Sequence, residues 1–282
     1  MRQPATAVSS KEVNRKAKFL PREHGATAML LMPIVSVAIL AREWRWAELA
    51  TLAAAFAALA AKDPLVVLAR QRFVWKQRHP ETAVAARWLG GWMSLLVISG
   101  FVLMAAWPFK ALAVMGLGAG IFLALTILVN IKNWQRSTLF QIASAAALTS
   151  SSLATCLSAT GAIAPWCWWF WLFTMMQATA GILVVHARLD ARIAMRGTVV
   201  ADDRFRRAAL VTLGVIASAA VTACALKRGW IALALLLAVA GYGYDLMRQR
   251  DASALQLPLK TVGQQALTLS SIFSSLLILG FW

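Results

Sequence analysis

The stretch FKALAVMGLGAGIFLALTILVN, residues 109–130, decides the fold: after Lys110 it runs for twenty residues without another charge. About 20 apolar residues cross the hydrocarbon layer of a bilayer as a helix. Backbone N–H and C=O groups find no water there, so a lone apolar run satisfies them by coiling into a helix. A surface helix of a soluble protein would show a polar face, and this stretch has none.

Read outward from that segment, the same rule places spans near 26–41, 47–69, 86–107, 139–159, 165–187, 207–226, 229–247 and 262–281. With 109–130 they make about nine. The second is interrupted by Lys62-Asp63-Pro64. Turn-forming punctuation separates them, at Trp107-Pro108, Gly161 to Pro165, Lys227-Arg228-Gly229 and Pro258. The fold class is therefore all-α, a polytopic transmembrane helical bundle. Residues 1–20 form a basic cytoplasmic tail and 21–282 a single transmembrane domain, with the first apolar run retained as a span.

Composition agrees. The 282 residues are 60% hydrophobic and 14% charged, where a soluble domain carries about 25% charged residues. A net charge of +17 would suggest nucleic acid in a soluble protein. Here it follows from loading basic residues onto cytoplasmic loops, and the expected partners are membrane lipids, with no nucleic acid. With the N-terminus inside, all but five of the 28 Lys and Arg residues lie on the inner side; the exceptions are Arg42, Arg45, Lys110, Lys227 and Arg228. Trp44, Trp46, Trp107, Trp166, Trp168, Trp169, Trp171, Trp230 and Trp282 fall at outer span ends as an aromatic belt. An odd number of spans leaves the C-terminus outside. Cys156, Cys167 and Cys224 sit in apolar runs without paired spacing, which reads as packing rather than a disulfide or a metal site.

Ionisable groups are costly at membrane depth, so those near the inner boundary are the candidates for chemistry. Pro21-Arg22-Glu23-His24-Gly25 opens the first span. Glu23 there also suits the positive end of a helix. Lys62-Asp63 lies near the inner end of the second span, with Arg70 two turns on from Asp63. These charges form either a self-neutralising pair or part of a cavity wall. Asn130, Lys132 and Arg136 close the fourth span, where basic residues are ordinary anchors. The sixth ends in His186-Ala187-Arg188-Leu189-Asp190-Ala191-Arg192. His186 and Asp190 are four apart and can hydrogen-bond, and Arg188, Arg192 and Arg196, also four apart, form a stripe on another face. Arginine forks match phosphate oxygens. There is no phosphate-cradling glycine loop, nucleophile elbow or helical pair of histidines. Metal ligands are therefore not assigned, and any cofactor is unknown.

The segment Pro21-Arg22-Glu23-His24-Gly25-Ala26-Thr27-Ala28-Met29-Leu30-Leu31-Met32-Pro33 resembles the opening signature of the YwiC-like family of bacterial membrane proteins, with Thr27 where that family usually has tryptophan. The resemblance implies a multi-pass protein of the bacterial inner membrane and supplies no activity. The architecture is also similar to the UbiA superfamily of membrane prenyltransferases, which has nine helices, an internal N-terminus and a site at the cytoplasmic ends of spans two and six. That likeness would make any enzyme here prenyltransferase-like but atypical. UbiA-type enzymes hold magnesium between two aspartate-rich motifs, whereas the corresponding stretches here offer only Asp63 and Asp190.

The leading expectation is a cytoplasm-facing, UbiA-like cavity that binds an anionic, lipid-linked ligand through Arg70, Lys132, Arg136, Arg188 and Arg192. Glu23, His24, Asp63, His186 and Asp190 are its candidates for proton transfer. The alternatives are a transporter or exporter, and a non-catalytic membrane assembly protein.

Overall fold

The computed structural model describes residues 24–77, 80–132, 134, 137–197 and 203–282, and among them there are helices and no strands. The helices are α1 (His24–Ala41), α2 (Trp46–Arg70), α3 (Thr82–Ala106), α4 (Phe109–Ile131), α5 (Thr138–Thr149), α6 (Ser151–Thr160), α7 (Pro165–Met195), α8 (Arg204–Ala225), α9 (Gly229–Arg248), the single turn α10 (Ala252–Leu255) and α11 (Leu259–Phe281). Among the described residues, eight stretches are long and apolar enough to cross a membrane, α5 and α6 counting as one, and α1 is a shorter apolar helix. The protein is an all-helical membrane protein, and each apolar run in the sequence has its helix.

Three features differ from the expectation. The second span is not interrupted: α2 passes through Lys62-Asp63-Pro64 to Arg70 and continues as a π turn, Gln71–Trp75. A proline inside a membrane helix removes one N–H donor and leaves the neighbouring bonds standing, which lipid-embedded helices tolerate. The fifth span is broken at Ser150. Around it, Thr149 Oγ1 donates to the Ala145 carbonyl (2.8 Å), Ser150 Oγ to Ala147 (2.7 Å) and Ser152 Oγ to Thr149 (2.8 Å). Such back-bonding hides hydroxyls from lipid and bends the helix. Ser151 Oγ instead crosses to the Leu30 carbonyl of α1, 3.0 Å away.

The third difference is covalent. Cys156 and Cys167, expected as packing residues, are joined by a disulfide with their Cα atoms 6.7 Å apart. The turn between α6 and α7 brings them together. Gly161 takes a left-handed conformation (φ 75°) and Pro165 opens α7, so a residue one turn before the break meets one just after it. Cys224 is the free, exposed thiol. A maleimide should therefore modify one thiol per chain in denaturant without reductant, and three after reduction. Mass spectrometry that finds all three modified without reduction would exclude the bridge.

The chain forms two compact units. Residues 49–135 make the first, which holds α3, α4 and all of α2 beyond Glu48. Residues 24–48 and 136–282 make the second. In this second unit α7 is the hub, packing against α1, α5, α6, α8, α9, α10 and α11. Small side chains allow the close approach: Ala178, Ala180 and Ala187 of α7, Ala209 and Ala220 of α8, and Ala234 and Ala238 of α9 are all buried. α8 packs on α9, α9 on α11, and α11 on α1, while α5 and α8 flank α7 with little direct contact between them.

Candidate functional site

The gap between α5 and α8 is a pocket of about 450 Å³, lined among the described residues by Ser137, Thr138, His186, Arg204 and Phe205. Each comes from an element end. Ser137 is the N-cap of α5, its Oγ accepting from the Phe140 amide at 3.4 Å. Serine is favoured at that position because its oxygen serves a first-turn N–H that has no helical acceptor. Arg204 and Phe205 begin α8. His186 lies on α7, its Nε2 3.0 Å from Gln141 Oε1 of α5. Its ring rests on Phe205 with centroids 4.9 Å apart, and the Arg204 guanidinium sits 4.6 Å from the centre of the same ring.

Two helix N-termini thus open into one small volume beside a guanidinium, an imidazole and two hydroxyls. The first amides of a helix lack internal acceptors and carry partial positive charge. At α8 the N-cap is Asp203, whose side chain makes no bond to the helix end. The arrangement suits a group bearing negative oxygens.

The expected site residues divide between the two units. In the first, Lys62 Nζ lies 3.9 Å from Asp63 Oδ1, the local pair that was one of two readings. Arg70 Nη2 donates to the Asn130 carbonyl at 2.7 Å, tying α2 to the C-terminal end of α4. Lys132 caps that helix and stands 5.1 Å from the Trp134 ring. In the second unit, His186 reaches the pocket but meets Gln141 rather than Asp190. Asp190 Oδ2 is buried without a hydrogen-bond partner. Glu23 and Arg136 lie outside the described residues, as does the side chain of His24.

Arg188 and Arg192 do form a stripe, and it grips protein. Arg188, 1% exposed, donates from Nη1 to Asp245 Oδ1 at 3.1 Å and from Nη2 to the Ala254 carbonyl. Arg192 donates from Nε to the Leu255 carbonyl and from Nη2 to that of Leu257. Together they strap the α9–α11 connection to α7. Gln249 adds a bond from Nε2 to the Val184 carbonyl, 3.1 Å.

Deeper in the same core, Gln177 Nε2 donates to Tyr242 Oη (2.7 Å) and to Ser270 Oγ (2.9 Å), joining α7, α9 and α11. Sequence reasoning missed this cluster, along with Arg204 and Phe205. The signal for the cluster was Gln177, an amide inside a long apolar run.

A family model described as YwiC-like protein matches residues 20–156, and over that stretch the chain is similar to this family. The match takes in α5 with Ser137, Thr138 and Gln141, and stops before α7 and α8. No curated protein and no solved structure matches the chain.

Proposed function

We propose that this chain is a YwiC-like protein of the bacterial inner membrane whose second unit binds an anionic ligand in the α5–α7–α8 pocket, opening to the cytoplasm. The supporting observation is the convergence of Arg204, His186, Ser137 and Thr138 with the N-terminus of α5 around one pocket. Arg188 and Arg192, expected as ligand contacts, serve the pocket indirectly by holding α7, which carries His186. His186 is then the residue placed for proton transfer, should a reaction follow binding. The UbiA likeness rests on span number and orientation alone.

The orientation has two independent supports. Basic residues concentrate at the pocket end, as cytoplasmic loops require. The disulfide lies at the other end of α7, and disulfides persist on the oxidising side of the membrane.

Mass spectrometry of lipids and small molecules that copurify with the protein tests the binding claim. Arg204→Gln should lower the occupancy of a phosphate-bearing species by at least about tenfold, a loss of roughly 1.4 kcal/mol. An unchanged complement of bound molecules would count against the pocket.

A transporter is the second reading, favoured by the Gln177–Tyr242–Ser270 cluster. Gln177 lies about 18 Å along α7 from Pro165 at 1.5 Å per residue, well inside the hydrocarbon layer. Buried polar groups at such depth mark pathways in transporters. Substrate flux into proteoliposomes that Tyr242→Phe abolishes would favour it over simple binding.

A further inference from the structure

We infer that Glu48, in the first turn of α2, is a proton-binding site: its carboxyl group holds a proton in the folded protein and exchanges it with water at the disulfide end of the second unit. The inference does not depend on the α5–α7–α8 pocket. Glu48 closes the stretch of α2 that belongs to this unit. It is 3% exposed, and both carboxyl oxygens are buried without a hydrogen-bond partner. Ala47, Ala50 and Thr51 beside it on α2 are buried as well, so a whole helix face is covered and not one rotamer. Arg42, at the end of α1, lies over the Trp282 ring, 4.0 Å from its centre. The neighbouring Phe281 packs on Trp166, next to Cys167, and these contacts mark the α1–α2 turn as lying at the disulfide end.

A glutamate in the first turn of a helix ordinarily stays ionised. The field of the helix end favours it, and its oxygens serve amides that have no helical acceptor. Here the Glu48 amide bonds the Arg45 carbonyl at 3.0 Å, but neither carboxyl oxygen accepts anything. The charged groups that act on Glu48 are Arg45 and Glu43 of the preceding turn. Arg45 gives its guanidinium to Glu43, at 2.6 and 3.1 Å, in an exposed pair. Arg42 is turned to Trp282. Taking an anion out of water with no donor to receive it costs far more than a helix end returns. The neutral acid also loses hydrogen bonds to water, at a much smaller cost, so the proton stays on. The exposed pair stands one turn away, about 4.5 Å along the axis at 1.5 Å per residue, so a small movement brings water to the carboxyl. On the orientation proposed above, that water is on the outer side.

Infrared spectroscopy of the full chain in nanodiscs at about pH 7 tests this, since an exposed glutamate, with a pKa of about 4.3, is then ionised. The parent should show the C=O band of a protonated carboxyl that Glu48→Gln lacks, and the band should shift in deuterium oxide as the proton exchanges. Glu48→Gln should melt with the parent, because one neutral group replaces another of the same shape. A hydrophobic carbodiimide gives a second readout that needs no variant. The carboxyl proton moves to a reagent nitrogen, the carboxyl oxygen bonds the central carbon, and the acyl group then shifts to nitrogen, so the peptide keeps the whole mass of the reagent. Peptide mass spectrometry should find Glu48 labelled at least about tenfold more than the exposed Glu43, the ratio that one pKa unit makes in protonated fraction. Equal labelling of the two, or identical infrared spectra of parent and Glu48→Gln, overturns the inference. A band that never shifts in deuterium oxide means a sealed proton and overturns the exchange. Loss of both band and label on adding sodium ions at fixed pH would make this a metal-cation site instead.

Discussion

Arg188→Met is expected to destabilise the protein by roughly 3 kcal/mol, read as a lowered unfolding temperature in detergent. Removing one partner of a buried ion pair costs about 3–5 kcal/mol, chiefly because the other charge is stranded. The lower figure applies here because the Asp245 side chain is 27% exposed and water reaches it once the guanidinium is gone. The Ala254 carbonyl also loses its donor, and the α9–α11 connection loses part of its attachment to α7. Adding Asp245→Asn should return part of the loss, since the stranded charge is then removed. Arg196→Met, at the exposed C-cap of the same helix, is the matched control and should melt like the parent. A variant Arg188→Met that melts with the parent would mean that the buried pair contributes nothing net.

The second large effect concerns Gly181. A Cβ added there would stand 2.9 Å from Tyr242 Oη and 3.3 Å from its Cζ, closer than real side chains pack. The phenol cannot simply swing away, because its oxygen accepts from Gln177 Nε2 at 2.7 Å. Overpacking of this kind costs about 1–3 kcal/mol. Gly181→Ala should therefore lower stability by that amount, and Tyr242→Phe by about 1 kcal/mol for the lost hydrogen bond. Combined, the two should cost less than their sum, since without the hydroxyl the new methyl group has room. Strict additivity in thermal unfolding would show that the glycine is not there for the hydroxyl.

Hydropathy made the apolar helices legible because lipid imposes a length and an absence of charge. It could not mark where helices end, since it senses only the lipid-covered part. α7 has 31 residues, about 46 Å at 1.5 Å per residue, and its last turns carry Arg188, Asp190 and Arg192 at spacings a helix accepts. The arginine stripe was visible for that reason. What it grips was not, because main-chain carbonyls at 254–257 leave no trace in side-chain identity. The disulfide was missed for a related reason: Cys156 and Cys167 are both fully buried in apolar runs, where cysteine behaves as a small hydrophobe. Their placement on either side of the Gly161–Pro165 turn was the available clue. Arg204 was hidden among the arginines of a basic loop, and only the start of α8 beside His186 distinguishes it.

α7 bears the imidazole on one flank and the two guanidinium forks on the other. A helix is stiff along its length, so slack on the strap side becomes a small roll of the rod and a displaced ring on the other. Affinities measured on strap variants will therefore report the setting of that rod as well as the pocket's own chemistry, although no strap residue need touch what is bound.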